Sequence, residues 1–144
     1  MRNYEIYNIK KEIAHYFYLR EQKIYKLFKE YKEAHGERKN IIAKQIDYIT
    51  RKIPVLAIHH ELIRNLQYRN DFVIENNRYV IINNRGTAHL TVSDHKITLK
   101  ASGTMDIDLI FLDLLTNVDG HYLALDLEQE RYGWIKIVKE RKYS

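Results

Sequence analysis

The chain has 144 residues, no Cys, 24 Lys+Arg against 19 Asp+Glu and a net charge of +5. That length points to one domain with a core of its own. The lack of Cys excludes disulfides, thiolate metal sites and a thiol nucleophile, and it suits a reducing cytosol. The excess positive charge permits an acidic partner, either nucleic acid or an acidic protein face. However, the basic residues are interleaved with acids, as in LREQKIYKLFKEYKE, the pattern of a solvated helix face. Charged residues near the N-terminus, including Glu5, Lys10, Lys11 and Glu12, stand where a signal peptide would place an apolar run. The apolar stretches Ile53–Ile58 and Leu109–Leu112 are too short to span a bilayer. A cytoplasmic protein is expected.

In chain order, Tyr4–Ile9 alternates as a short strand, with Asn8 placed to cap the helix that follows. Ile13, Phe17, Ile24, Leu27, Phe28 and Tyr31 keep a helical period, so a helix over about 10–34 is expected, bent near Leu19–Arg20 and stopped at Gly36. A second helix is expected over about 37–50, through Ile41, Ile42, Gln45, Ile46 and Ile49. Pro54 closes that unit, because the residue before proline avoids helical angles. A third helix over 55–67 carries Leu56, Ile58, Leu62, Ile63 and Leu66.

After Tyr68 the period becomes two. Tyr79–Ile82, Thr87–Val92 and His95–Ala101 read as strands, separated by turns at Asn83–Gly86 and Ser93–Asp94. A helix over Met105–Thr116 follows, with Ser102 or Thr104 as its cap. The chain ends in an expected hairpin, Tyr122–Leu127 and Tyr132–Val138 around Glu128–Glu130. The sum is an α+β chain: an N-terminal strand and helices, then a mainly antiparallel sheet with one further helix, read as a single domain over 1–144.

No catalytic or metal signature emerges. His59-His60-Glu61 fails the zinc-helix pattern because Arg64 stands where the second His would be needed, and adjacent His point about 100° apart on a helix. No glycine-rich phosphate loop is present. Asp106 and Asp108 are read as first-turn acids favouring the positive end of their helix, with Asp113 on its outer face. An enzyme, a cofactor, a bound metal and a small-molecule substrate are therefore not expected.

The remaining signal is aromatic. The chain has 12 Tyr and a single Trp, and Tyr and Trp serve surfaces as readily as cores. Trp134, in Arg131-Tyr132-Gly133-Trp134, is expected to anchor the core, with Tyr132 on the same face and Arg131 on the other. Arg131 and Lys139–Arg141 could form a basic rim. Ile13 and Phe17 lie four apart with Tyr18 and Arg20 beside them, and Gln45 and Tyr48 lie three apart on the next helix. Packing alone accounts for one aromatic on a helix flank; two neighbouring helices that each offer one also fit a contact patch.

Three segments, Tyr4–Glu21 (YEIYNIKKEIAHYFYLRE), Lys44–Pro54 (KQIDYITRKIP) and Arg131–Arg141 (RYGWIKIVKER), resemble in order and spacing the SirA family of sporulation inhibitors of replication in Bacillus and its relatives. The similarity covers about 4–31, 43–66 and 96–141, while 68–94 shares only a strand pattern. The resemblance implies a protein that binds domain I of the initiator DnaA, without touching nucleic acid or membrane. It also implies a contact face on Ile13, Phe17, Gln45 and Tyr48, flanked by Tyr18. The chain departs from the family's usual residues in having Ile13 for a larger aromatic, Phe17 for a tyrosine, and Ile137 where a proline can stand. The rival readings are a basic nucleic-acid-binding module, which would show a steep salt dependence, and a small transferase, which would show a polar pocket.

Overall fold

The computed structural model describes residues 1–136. Among them, strands β1 (Arg2–Ile9), β2 (Thr50–Arg51), β3 (Phe72–Glu75), β4 (Arg78–Asn83), β5 (Gly86–Val92), β6 (Ile97–Gly103), β7 (Tyr122–Asp126) and β8 (Arg131–Trp134) form one sheet. Five helices accompany it: α1 (Lys11–Tyr16), α2 (Glu21–Glu33), α3 (Gly36–Ile49), α4 (Val55–Leu66) and α5 (Asp106–Leu115). Every strand pairing is antiparallel, in the order β3-β4-β5-β6-β1-β7-β8, with β2 added at the end of β1. The fold is α+β, as the sequence pattern suggests. The N-terminal strand is central, and its two neighbours come from the last third of the chain.

Period-two alternation gives the sheet two chemically different faces. Tyr4 and Ile6 of β1 join Tyr79, Ile81, Ala88, Leu90, Ile97, Leu99, Ala101 and Tyr122 on the first face, beneath Ile58, Leu62 and Leu66 of α4 and Ile107, Phe111 and Leu115 of α5. Tyr7 and Ile9 join Leu123 and Leu125 on the second face, beneath Ala14 of α1 and Ile24, Tyr25 and Phe28 of α2. α3 adds Ile46 and Ile49 to the edge of this second cluster. The second helical layer covers only the β1-β7-β8 end; the second-face residues of β4, β5 and β6 belong to neither cluster.

Several local expectations need correction. Asn8 caps no helix. It is buried in β1, where its amide donates to the Lys52 carbonyl (3.2 Å) and accepts from the His121 N–H (3.1 Å). Neither Ser102 nor Thr104 caps α5: the N-cap is Met105 without a side-chain bond, and Ser102 lies in β6. Gly36, at φ +61°, opens α3 and does not close α2, which ends at Glu33. Strand β3 falls in the stretch between Tyr68 and Tyr79, where the sequence pattern assigns no element. Asn76 and Asn77, at φ 51° and 60°, form the tight turn joining it to β4, both residues taking the left-handed angles such hairpin turns require.

Asp108 is not a simple dipole partner. Its side chain is 2% exposed and accepts two bonds from Arg2, Nε at 2.7 Å and Nη2 at 2.9 Å, and one from the Tyr4 hydroxyl at 3.1 Å. Arg2 also donates to the carbonyls of Gly103 and Thr104. This paired and hydrogen-bonded buried charge fastens the start of β1 to the start of α5.

Candidate partner-binding face

The expected long helix is broken into two, α1 and α2, where a bend was expected, and the break has an identifiable cause. α1 stops at Tyr16, and Leu19 takes φ +67°, a conformation disfavoured for a side chain with a Cβ. Glu21, at the start of α2, holds this corner: its Oε1 accepts from the Leu19 backbone N–H at 3.0 Å and from the Trp134 indole N–H at 2.9 Å. The corner leaves Leu19 75% exposed and Tyr16 64% exposed. Arg20 lies over both the Tyr16 and Phe17 rings, and those two rings meet edge to face at 4.9 Å.

α3 reaches the same neighbourhood from its C-terminal end. The Lys10 N–H donates to the Ile49 carbonyl at 2.8 Å, and β2 pairs with Asn8 and Ile9. Tyr48 is 69% exposed, with the Lys10 ammonium 4.7 Å from its ring centre. Gln45 is exposed as well, while its neighbour Ile46 turns inward.

The structure divides the five residues singled out in the sequence. Ile13, Phe17 and Tyr18 are half-buried and pack against the second core cluster together with Ile46 and Ile49. Gln45 and Tyr48 stand free of that cluster on the outer side of α3. Phe17 therefore has one side on the core and one toward solvent, whereas Tyr48 has little packing to lose. Sequence periodicity overlooked Leu19 and Tyr16. The signal available was the surplus of apolar residues in HYFYL, more than one helical stripe can bury.

Trp134 is a seam residue and not a core anchor. It is half-buried at the edge of the second cluster, with its indole tied to Glu21. Tyr132 shares its face and stacks on Tyr25 with ring centres 5.0 Å apart. Arg131 turns the other way and donates to buried Asp126 at 2.9 Å. The expected continuation of β8 to Val138, the Ile137 position and the Lys139–Arg141 rim lie outside the described residues.

Several titratable groups elsewhere are engaged by their neighbours. His59 is hydrogen-bonded to the Tyr79 hydroxyl at 2.7 Å and His60 is exposed. Arg69 and Asn83 hold the Asp71 carboxyl down at about 2. Among the described residues, no group of three His, Asp or Glu is placed to hold a metal ion, and no helix is long and apolar enough to cross a membrane.

The three segments that carry the family resemblance thus converge around one end of β1: the first supplies β1, α1 and Glu21, the second packs α3 and β2 against them, and the third brings Trp134 to Glu21. The family described as "Sporulation inhibitor of replication protein SirA" matches residues 2–139. The chain belongs to the SirA family. A Bacillus subtilis (strain 168) protein of that same description is 35% identical over 148 residues, an alignment covering 99% of this chain and 98% of that protein. The family match runs through 68–94, where the sequence reading found only a comparable strand pattern.

Proposed function

We propose that this protein inhibits the initiation of DNA replication during sporulation by seating the outer side of α1 and α3 on domain I of DnaA. Family membership supports the biological role. The observation that carries the choice of face is that α1, the corner after it and the last turns of α3, joined through the Lys10–Ile49 bond, leave large aromatic and aliphatic side chains outward. Tyr48, Tyr16 and Leu19 are each more than half exposed there, and Gln45 and Arg20 supply polar contacts beside them. Aromatics with an arginine at their edge are the usual anchors of protein interfaces. Half-buried Phe17 and Ile13 form the floor of the patch. The backbone under it is fixed by the Lys10–Ile49 and Glu21–Leu19 bonds, so little ordering cost is added on binding.

The mechanism is occupation of a surface, with no chemistry performed on the partner: an initiator whose domain I is covered cannot use it for assembly. The test is size-exclusion chromatography of the purified pair. Co-elution is expected at roughly 10 μM, corresponding to a modest protein–protein affinity. Separate elution at that concentration would overturn the choice of partner.

A further inference from the structure

The half of the second sheet face that no helix covers among the described residues has its own chemistry. A cavity of ≈ 380 Å³ opens there, lined by Met1, Arg78, His89, Thr91, Thr98 and Lys100. Strand pairing sets these side chains in two adjacent rows, His89 opposite Lys100 and Thr91 opposite Thr98. Arg78 Nε and His89 Nδ1 are shielded from solvent and have no hydrogen-bond partner among the described residues. Buried nitrogens without partners are costly, and most such groups in native proteins are satisfied by something. Among the described residues, neither Arg78 nor Lys100 is in an ion pair, and the neighbouring Glu5 is already engaged by Lys96 at 2.9 Å. Two acids are in register with the cluster: Glu5, opposite Thr98 and engaged by Lys96, and Glu75, opposite Arg78 at the hairpin end, which makes no bond to it.

We infer that this cavity is a binding site for the phosphoryl group of a small phosphorylated molecule. A guanidinium, an ammonium, an imidazole and two hydroxyls line one pocket, more donors than the two oxygens of a carboxylate can use and well matched to a tetrahedral oxyanion. The lining holds no Phe, Tyr or Trp on which nucleobases could stack, so it does not suit single-stranded nucleic acid. The site lies on a different part of the molecule from the α1/α3 face and does not depend on the partner proposed above.

The probe is inorganic pyrophosphate, titrated into the full chain at constant ionic strength with chloride as control and followed by backbone amide resonances. Saturable shifts confined to β4, β5 and β6, with a dissociation constant of about 1 mM or tighter, are expected. Arg78→Gln/Lys100→Gln should weaken binding at least about tenfold. Lys100→Gln alone, at an exposed position, should weaken it in the same direction and serves if the double variant does not fold. Three results would each overturn the proposal. One is an absence of saturable shifts, or shifts centred elsewhere. Another is parental binding by either folded variant. The third is preference for an oligodeoxynucleotide over pyrophosphate with a salt slope of several units.

Discussion

The two helical layers differ in what they leave outside. α4 and α5 bury Ile58, Leu62, Leu66, Ile107, Phe111 and Leu115 almost completely, and the adjoining Arg2–Asp108 pair fastens α5 to the start of the central strand. Their exposed large residues are the two aliphatics Leu56 and Leu109. α1, α2 and α3 bury fewer side chains and leave Tyr16, Leu19, Tyr31, Ile41 and Tyr48 outward. The first layer is the more completely buried, and the second leaves more large aromatic side chains outward, which supports its proposed role as a contact surface. Substitutions in the first layer should therefore unfold the protein, and substitutions on the outer side of the second should spare it.

The largest effect is expected at Asp108. Asp108→Ala leaves the Arg2 guanidinium, its own side chain only 18% exposed, without a carboxylate partner. Removing one member of such a pair costs about 3–5 kcal/mol. Chemical denaturation of parent and variant measures it, and a loss under about 1 kcal/mol would show that the pair is dispensable.

Next come Tyr48 and Phe17, which sharpen the comparison because they lie on the two sides of one layer. Tyr48→Ala should weaken DnaA domain I binding about thirtyfold, roughly 2 kcal/mol, with an unchanged melting temperature. Phe17→Ala should weaken binding and also lower stability by roughly 1–2 kcal/mol, since part of its ring is packed on the core. Gln45→Ala should cost less binding than either. Were Tyr48→Ala to bind like the parent while folded, the face would be misplaced.

Leu19 gives a smaller effect of opposite sign. Glycine at φ +67° relieves a left-handed penalty of about 1 kcal/mol, so Leu19→Gly should leave the melting temperature equal or higher while binding falls. A destabilised Leu19→Gly would mean that its side chain packs in the folded protein.

The order and kind of most elements were legible because each carries a clean period: two in β4 to β7, 3.6 in α2 to α5. The bend at Leu19–Arg20 could be placed because the helical stripe loses phase there. What the sequence hid depends on long-range partners. Asn8 looks like a cap until His121 and Lys52 arrive beside it, and Asp108 looks like a dipole residue until Arg2 does. β3 escaped because Asn76-Asn77 lacks the glycine that usually marks such a turn. Within the candidate face, Gln45 and Tyr48 could be found from helix phase. The half-burial of Phe17 and the exposure of Leu19 depend on Glu21 and Trp134, 113 residues apart.

The last prediction concerns the seam beneath the second layer. His15 of α1 and His121 before β7 meet at 5.7 Å, edge to face, and the Nδ1 of each is buried without a partner among the described residues. Burial first, and then the neighbouring His15, hold the His121 imidazole below its ordinary value of 6.5; Lys11 and Arg51 act in the same direction and Asp119 opposes them. A base with a depressed folded value binds fewer protons folded than unfolded just below that ordinary value, so stability must fall as pH drops through it. The contribution is fully present above about pH 7.5 and is lost from about pH 6.5 downward, until the folded form also takes up the proton. Because other groups titrate too, the informative quantity is the difference between parent and His121→Gln. The variant should lose less melting temperature than the parent between about pH 7.5 and pH 5.5. Equal losses would mean that α1 lifts from the seam readily enough for water to reach His121, and that the second layer is held mainly by α2.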